Sequence, residues 1–105
     1  MAKGKNGTLL IDEIEESFRR KKFDPVYLLY GEEDFLIEEI VDLLIQHAVD
    51  ESTKSFNLDI LFGSDVEGKD IASKASSFPM MGDRRVVIVR EFDKTTGKDI
   101  LLPYI

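Results

Sequence analysis

Three short apolar runs, separated by longer helical patterns, restrict the fold of this chain more than any other feature. The runs are VYLLY at residues 26–30, an alternating stretch at residues 56–62 and VVIV at residues 86–89. Strands that alternate with helices at such lengths indicate a parallel sheet. We therefore predict an α/β fold in the order α-β-α-β-α-β-α, a three-layer arrangement of one parallel sheet with helices on both of its faces.

The first helical pattern precedes the first apolar run. Leu10, Ile14 and Phe18 recur at four-residue spacing with charges between them, which predicts an amphipathic helix. Pro25 disfavours helix at the residue before it, so the helix is expected to stop near Lys22. The apolar run that follows is nearly free of polar residues, which predicts a strand buried on both faces.

Two further helices are predicted between the apolar runs, and another near the end of the chain. Glu33 or Asp34 opens a helix whose apolar stripe is wide enough to pack on a sheet. Ser64 and Glu67 fit the S-x-x-E pattern of a capping box, which places the start of the next helix there. A last helix is expected to begin near Thr96. The residues that share the buried face of the third helix are Ile71, Ala75 and Phe78.

The composition is typical of an acidic protein and does not predict membrane binding. Lys and Arg number 14 against 21 Asp and Glu, and the formal charge of −7 argues against binding DNA or an anionic membrane through the overall field. No apolar stretch approaches the ~18 residues of a membrane span, and the N-terminus lacks the apolar region of a signal peptide. The absence of cysteine excludes a disulfide framework and a thiolate zinc site. We predict a cytoplasmic protein.

Domain boundaries are predicted from the two ends of the chain. Residues 1–8 are rich in Gly, Lys and Asn and are expected to form a disordered tail, with a single domain over residues 9–105. A sheet of only three strands and a final helix cut short at residue 105 predict that this domain is truncated, that is, incomplete at its C-terminal end.

An enzyme of this fold class would hold its ligand at the carboxyl ends of the strands, first of all in the turn after the first strand. That turn, at residues 30–35, has one glycine, no lysine and three carboxylates. A phosphate-binding loop needs several glycines and a lysine, and carboxylates repel phosphate. Glu32, Glu33 and Asp34 could instead hold a hard cation, or stabilise the first turn of a helix through its dipole. No cofactor is predicted.

Other candidates for chemistry are few. His47 lies on the apolar face of a helix in a chain without cysteine, so we interpret it as a half-buried structural histidine. Arg84 and Arg85 could contact a phosphate, or could flank the strand that follows and face Asp83 or Glu91. These residues form no catalytic constellation. A nucleotide- or metal-dependent doubly wound α/β enzyme is the alternative function.

The loop before the third apolar run is unusual because it is apolar. Residues 76–91 read SSFPMMGDRRVVIVRE, which places Met80 and Met81 directly after Pro79. Helical spacing assigns Phe78 to the core, and the proline would end the helix. The two methionines then either fill space beneath the sheet or form an exposed apolar plug for a groove on another protein.

Two motifs in this order resemble the N-terminal domain of the delta subunit of bacterial DNA polymerase III, a component of the clamp loader. The first motif, PVYLLYGEEDFL at residues 25–36, is a proline, a short strand ending in Tyr-Gly and acidic residues. The second, at residues 75–89, combines an apolar pair, Gly-Asp-Arg-Arg and a valine-rich strand. The resemblance extends over residues 10–105 and covers the first part of that family's full length.

This resemblance implies an AAA+-like domain, a degenerate relative of the P-loop NTPases that has lost its phosphate loop. It also implies a non-catalytic subunit of the polymerase holoenzyme, whose partner subunits hydrolyse ATP. Met80 and Met81 would enter a hydrophobic pocket on the beta sliding clamp and help to open the ring for loading onto primed DNA. The residues that would present this pair, form its polar rim and brace the turn are Pro79, Gly82, Asp83, Arg84 and Arg85.

Further partners are implied by the same resemblance. The gamma/tau and delta prime subunits would bind through a C-terminal region beyond residue 105, and DNA would be contacted only within the full complex. Many relatives carry Leu-Phe or Phe-Phe where this chain has Met80 and Met81, so the pair keeps its apolar character with less aromatic area.

Overall fold

The computed structural model describes residues 2–4, 7–9, 11–29, 34–79 and 84–104. The chain divides into two compact units, Met1–Ala48 and Val49–Ile105. None of the helices within the described residues is both long and apolar enough to cross a membrane.

The first unit contains a small antiparallel sheet. Its strands are β1 (Ala2–Gly4), β2 (Gly7–Leu9) and β3 (Leu28–Leu29), in the order β2-β1-β3. The sequence predicts a disordered tail over residues 1–8, and the structure differs because β1 and β2 pair with each other there. Backbone hydrogen bonds of this kind can form without any side-chain pattern, so the apolar periodicity did not indicate them.

The position of β3 corrects the prediction for the first apolar run. Leu28–Leu29 pair antiparallel with β1, in a sheet separate from the parallel one. Leu28 is exposed, so the run is not buried on both faces. Apolar composition shows that a segment suits a strand, but the strand edge that it joins depends on the rest of the fold.

Two helices complete this unit. α1 (Ile11–Arg19) lies within the predicted segment, and α2 (Asp34–Ala48) begins at one of the two predicted residues. α1 ends earlier than predicted because Lys21 adopts a left-handed conformation with φ of 60°. The amides of Lys21 and Lys22 then donate to carbonyl oxygens in the last helical turn at 3.0 and 2.9 Å, which satisfies those carbonyls well before Pro25.

The core of the first unit lies between α1 and α2. Ile14 and Phe18 of α1 are buried and pack with Ile40 of α2. The Phe18 ring centroid lies 5.3 Å from that of Phe23 and 5.6 Å from that of Tyr27, the second in an edge-on arrangement. Edge-on aromatic pairs add to the energy of burial. The predicted buried face of this helix is confirmed at Ile14 and Phe18.

The second unit is built on two parallel strands, β4 (Leu58–Phe62) and β5 (Val86–Arg90), which pair along their whole length. The predicted α/β class with a parallel sheet is therefore confirmed. The described parallel sheet has two strands, however, and not the predicted three. The first residues of the predicted strand at 56–62 instead belong to a short helix, α3 (Lys54–Asn57).

The next helix, α4 (Gly68–Ala75), is closed at its start by a capping box. Glu67 accepts from the amide of Asp70 through its side chain, and the Asp70 carboxylate accepts from the Glu67 amide at 2.8 Å. The predicted capping residue, Ser64, lies instead in a 3₁₀ segment. The prediction was wrong because the Glu67 and Asp70 carboxylates perform the same reciprocal bonding three residues further along.

A long 3₁₀ segment, Lys98–Tyr104, takes the place of the predicted final α-helix. Pro103 lacks an amide proton and cannot donate the bond that a regular helix requires. α4 lies beside this segment and beside β5. The buried hydrophobic residues of these three elements are Ile71, Ile88 and Leu101. Shorter 3₁₀ segments lie at Glu51–Thr53, Gly63–Asp65 and Phe92–Lys94.

Candidate functional site

The candidate site is the loop between α4 and β5, which connects Ala75 to Val86. Of the residues predicted to bind a partner there, the structure describes Pro79, Arg84 and Arg85. The predicted site residues that lie outside the described ones are Met80, Met81, Gly82 and Asp83.

Phe78 lies at the start of this loop, and its position corrects a prediction. Helical spacing assigns it to the core with Ile71 and Ala75, yet Phe78 is 90% exposed. α4 ends at Ala75, so Phe78 lies beyond the last helical residue and the spacing of a helix no longer applies to it. Ala75 is exposed as well, and only Ile71 of the predicted face is buried.

Two serines follow α4 and bond back to its last turn. The hydroxyl of Ser76 donates to the carbonyl oxygen of Ala72 at 2.7 Å, and that of Ser77 donates to the carbonyl oxygen of Ser73 at 3.0 Å. Serine side chains that bond to the backbone in this way compete with continuation of the helix. The serine pair, followed by Pro79, is therefore a sequence signal for the end of α4 that the apolar spacing does not include.

The exposed phenylalanine belongs to an apolar run in the sequence. Phe78 is followed by Pro79, which is half-buried, and then by the two methionines. Single exposed apolar residues are common on protein surfaces, but a run of apolar residues in the sequence of a connecting loop is unusual. The composition of this loop therefore favours contact with another molecule.

Arg85, the last residue before β5, is held by three other elements of its unit. Its Nε donates to the carbonyl oxygen of Lys74 in α4 at 2.9 Å, and its Nη1 donates to that of Phe56 in α3 at 3.0 Å. Its Nη2 donates to Oδ2 of Asp59 in β4 and forms an ion pair with it. The side chains of Arg85 and Asp59 are 13% and 27% exposed, so solvent screens this pair only in part.

These contacts decide between the alternatives for Arg85. It flanks its strand and pairs with a carboxylate, but that carboxylate belongs to Asp59 on the neighbouring strand, 26 residues away along the chain. Glu91, one of the predicted partners, instead accepts from Lys94 Nζ at 3.1 Å. Local sequence could not show the pairing because it depends on how β4 and β5 align. Arg84 is half-buried.

The other predicted candidates give no site among the described residues. Residues 31–33, with two of the three carboxylates after the first apolar run, lie outside them, and Asp34 begins α2 in an exposed position. No group of three or more His, Cys, Asp or Glu side chains in the described part of the chain could hold a metal ion. His47 is half-buried, as predicted, and its carbonyl oxygen accepts from Lys21 Nζ at 2.5 Å.

Comparison with protein families decides the assignment of this chain. The family model described as DNA polymerase III, delta subunit, matches residues 27–101, a range that includes Phe78 and Arg85. The chain belongs to the DNA polymerase III delta subunit family. This result confirms the resemblance predicted from the two motifs.

Individual delta-family relatives agree with this assignment. The chain is 38% identical over 90 residues to DNA polymerase III subunit delta of Bacillus subtilis (strain 168), which covers 85% of this chain and 26% of that protein. It is also similar to the solved structure of a Bacillus subtilis DNA clamp loader delta protein, with a TM-score of 0.72 and 36% identity over 76% of this chain and 24% of that one. The chain thus spans about a quarter of the length of these delta-family relatives.

Proposed function

We propose that this chain is the clamp-binding, N-terminal part of a clamp-loader delta subunit, and that it binds the beta sliding clamp during DNA replication. Support comes from its membership of the delta family, over a range that contains the loop between α4 and β5. The observation that carries the proposal is Phe78, an aromatic side chain left almost fully exposed at the start of that loop. Loops are usually polar, so an apolar loop fits contact with a protein partner.

Met80 and Met81 are the proposed anchors. Methionine is unbranched and polarizable, so its side chain adapts to the shape of a pocket. Burying one such side chain is worth roughly 1.5–3 kcal/mol, and Phe78 adds a similar amount if the clamp covers it too. A few buried residues often carry most of the energy of a protein interface. The residues proposed to present and frame the anchors are Pro79, Gly82, Asp83, Arg84 and Arg85.

The proposed mechanism is selective binding of an open clamp ring. A ring that exchanges between closed and open forms shifts toward the open form when a protein binds that form more tightly. A difference of about 5.5 kcal/mol between the two affinities would move the ring from roughly 1% open to 99% open. No covalent step is needed, so the proposed role is non-catalytic and ATP hydrolysis belongs to partner subunits.

The proposal extends to the complete protein. Residues 9–105 would form the first part of a three-layer, AAA+-like domain, with the remaining length of the family contributing its other strands. Contacts with the gamma/tau and delta prime subunits are assigned to that remaining length. The net charge of −7 supports DNA contact only within the assembled complex, where several subunits contribute to the field. The place of action is the cytoplasm, with the replication machinery.

Replacing both anchors tests the proposed function directly. A Met80→Ala/Met81→Ala double variant should bind the cognate sliding clamp about 100-fold more weakly or worse, because each lost side chain is worth roughly 1.5–3 kcal/mol when buried. Surface plasmon resonance with the immobilised clamp measures the Kd. Urea unfolding of the same samples establishes that the free energy of unfolding is unchanged.

The matched control for this experiment is Leu102→Ala. Leu102 is an exposed apolar residue in the same unit but outside the loop, and its truncation should change the Kd by no more than about twofold. Equal clamp binding by the wild-type chain and the double variant would contradict the anchor role. Failure of the wild-type chain to bind the clamp would contradict the proposed function.

Phe78 can be tested separately because its side chain contributes little to the folded chain. Phe78→Ala should weaken clamp binding by roughly tenfold, through the loss of apolar area at the interface. The free energy of unfolding should change by no more than about 0.5 kcal/mol, because the side chain is almost fully exposed. Isothermal titration calorimetry and urea unfolding measure the two quantities. A destabilised variant with unchanged affinity would assign Phe78 to the fold instead.

A further inference from the structure

We infer that Arg85 is a positioning residue for the clamp-binding loop, and not itself a contact with the clamp. The inference rests on the proposed function. Arg85 stands at one end of the loop, where β5 begins, and bonds to the carbonyl oxygen of Lys74 at the other end, in the last turn of α4. A single side chain thus links the two described ends of the loop.

Two more hydrogen bonds connect the Arg85 side chain to other elements of the second unit. Nη1 of Arg85 donates to the carbonyl oxygen of Phe56 in α3, and Nη2 pairs with Asp59, the second residue of β4. The guanidinium group is planar and its N–H groups point in fixed directions, so bonds to three separate elements hold it in one orientation. A lysine, with one ammonium group on a flexible stem, cannot reproduce this arrangement.

The surroundings of the ion pair strengthen the interaction between Arg85 and Asp59. Both charged groups are largely shielded from water, and shielding limits the weakening of the pair by salt. Bonds between charged groups are also shorter and stronger than those between neutral ones. A loop held at both ends loses less conformational freedom when a partner binds it. Arg85 therefore raises the affinity for the clamp through the loop, without touching the clamp.

The two partners of the ion pair allow a direct test on the whole chain. Arg85→Lys and Asp59→Asn should each weaken binding to the cognate sliding clamp by about tenfold, under conditions where both variants are folded. The Arg85→Lys/Asp59→Asn double variant should bind more tightly than the product of the two single effects predicts, because both changes weaken the same ion pair. Asp93→Asn removes the same charge from an exposed position in this unit, and should bind as the wild-type chain does.

Three results would overturn the inference. Weaker binding by Arg85→Lys with unchanged binding by Asp59→Asn would show that Arg85 acts without its ion pair, as a direct contact with the clamp would. Unchanged clamp binding by both variants, with a lower free energy of unfolding, would make Arg85 a purely structural residue. A wild-type chain that does not bind the clamp would refute the proposed function and the inference together. That last result is read from the wild-type chain alone, so it is distinct from the other two.

Discussion

Gly63→Ala is expected to destabilise the second unit by about 3 kcal/mol or more, at the upper end of the cost of overpacking. A Cβ atom on Gly63 would lie 2.0 Å from the carbonyl oxygen of Glu91 and 2.8 Å from Thr95 Oγ1. The first of these atoms belongs to the backbone, so it cannot turn aside as the end of a side chain can. The segments that follow β4 and β5 would have to separate.

Hydrogen exchange at the amides of β4 and β5, together with urea unfolding, measures this loss of stability. Gly97→Ala is the matched control in the same unit. Gly97 has φ of +66°, but a Cβ atom there would lie 3.9 Å from the Gly68 nitrogen, which is an ordinary contact. Its expected cost is that of the left-handed backbone, roughly 1–2 kcal/mol. Equal losses for the two variants would contradict the steric explanation.

The Gly63 variant should also lose clamp binding if the proposed function is correct. β5 begins directly after Arg85, and the partners of Arg85 include Asp59 of β4. A sheet forced apart at one end would no longer hold the loop at the other. Binding measured at a urea concentration below the unfolding transition separates this effect from global unfolding.

Phe18→Ala is expected to destabilise the first unit by about 3–5 kcal/mol, the usual cost of removing a buried aromatic ring. Phe18 is 0% exposed and packs with Ile14 and Ile40. Its ring also contacts the rings of Phe23 and Tyr27. The cavity left by the ring would be surrounded by rigid side chains on several sides, so the core can collapse into it only in part.

Phe35→Ala provides the control for this second variant. Phe35 lies in α2 of the same unit but is 78% exposed, so its loss should change the free energy of unfolding by no more than about 0.5 kcal/mol. Hydrogen exchange at the amides of α1 and α2 reports both effects in one measurement. A similar small change for Phe18→Ala would show that the core of this unit does not depend on the ring.

Sequence patterns predicted those elements whose causes are local. The four-residue spacing of Ile14 and Phe18 identified the buried face of α1, and VVIV identified the strand that became β5. The same approach failed where a local competitor was overlooked. The hydroxyl bonds of Ser76 and Ser77 accompany the end of α4, so the helical spacing that placed Phe78 in the core did not apply.

The candidate site was likewise predicted from the sequence only in part. The apolar character of residues 78–81 and the two family motifs are visible in the sequence, and the motifs alone led to the delta family, which the comparisons confirmed. The exposure of Phe78 and the bonds of Arg85 were not predicted. The exposure of Phe78 was missed because a local signal for the end of α4 was overlooked, whereas the bonds of Arg85 depend on how distant elements align.

The amino-acid sequence was sufficient for the α/β class, the start of β5, the buried face of α1 and the family, because each follows from patterns within short segments of the chain. The tertiary structure alone showed that β3 pairs with β1, that Arg85 pairs with Asp59, and that Gly63 must lack a side chain. In each of these cases the two partners are distant in sequence. Their contact exists only after the chain has folded, when packing and hydrogen bonding select one arrangement among many that local patterns allow.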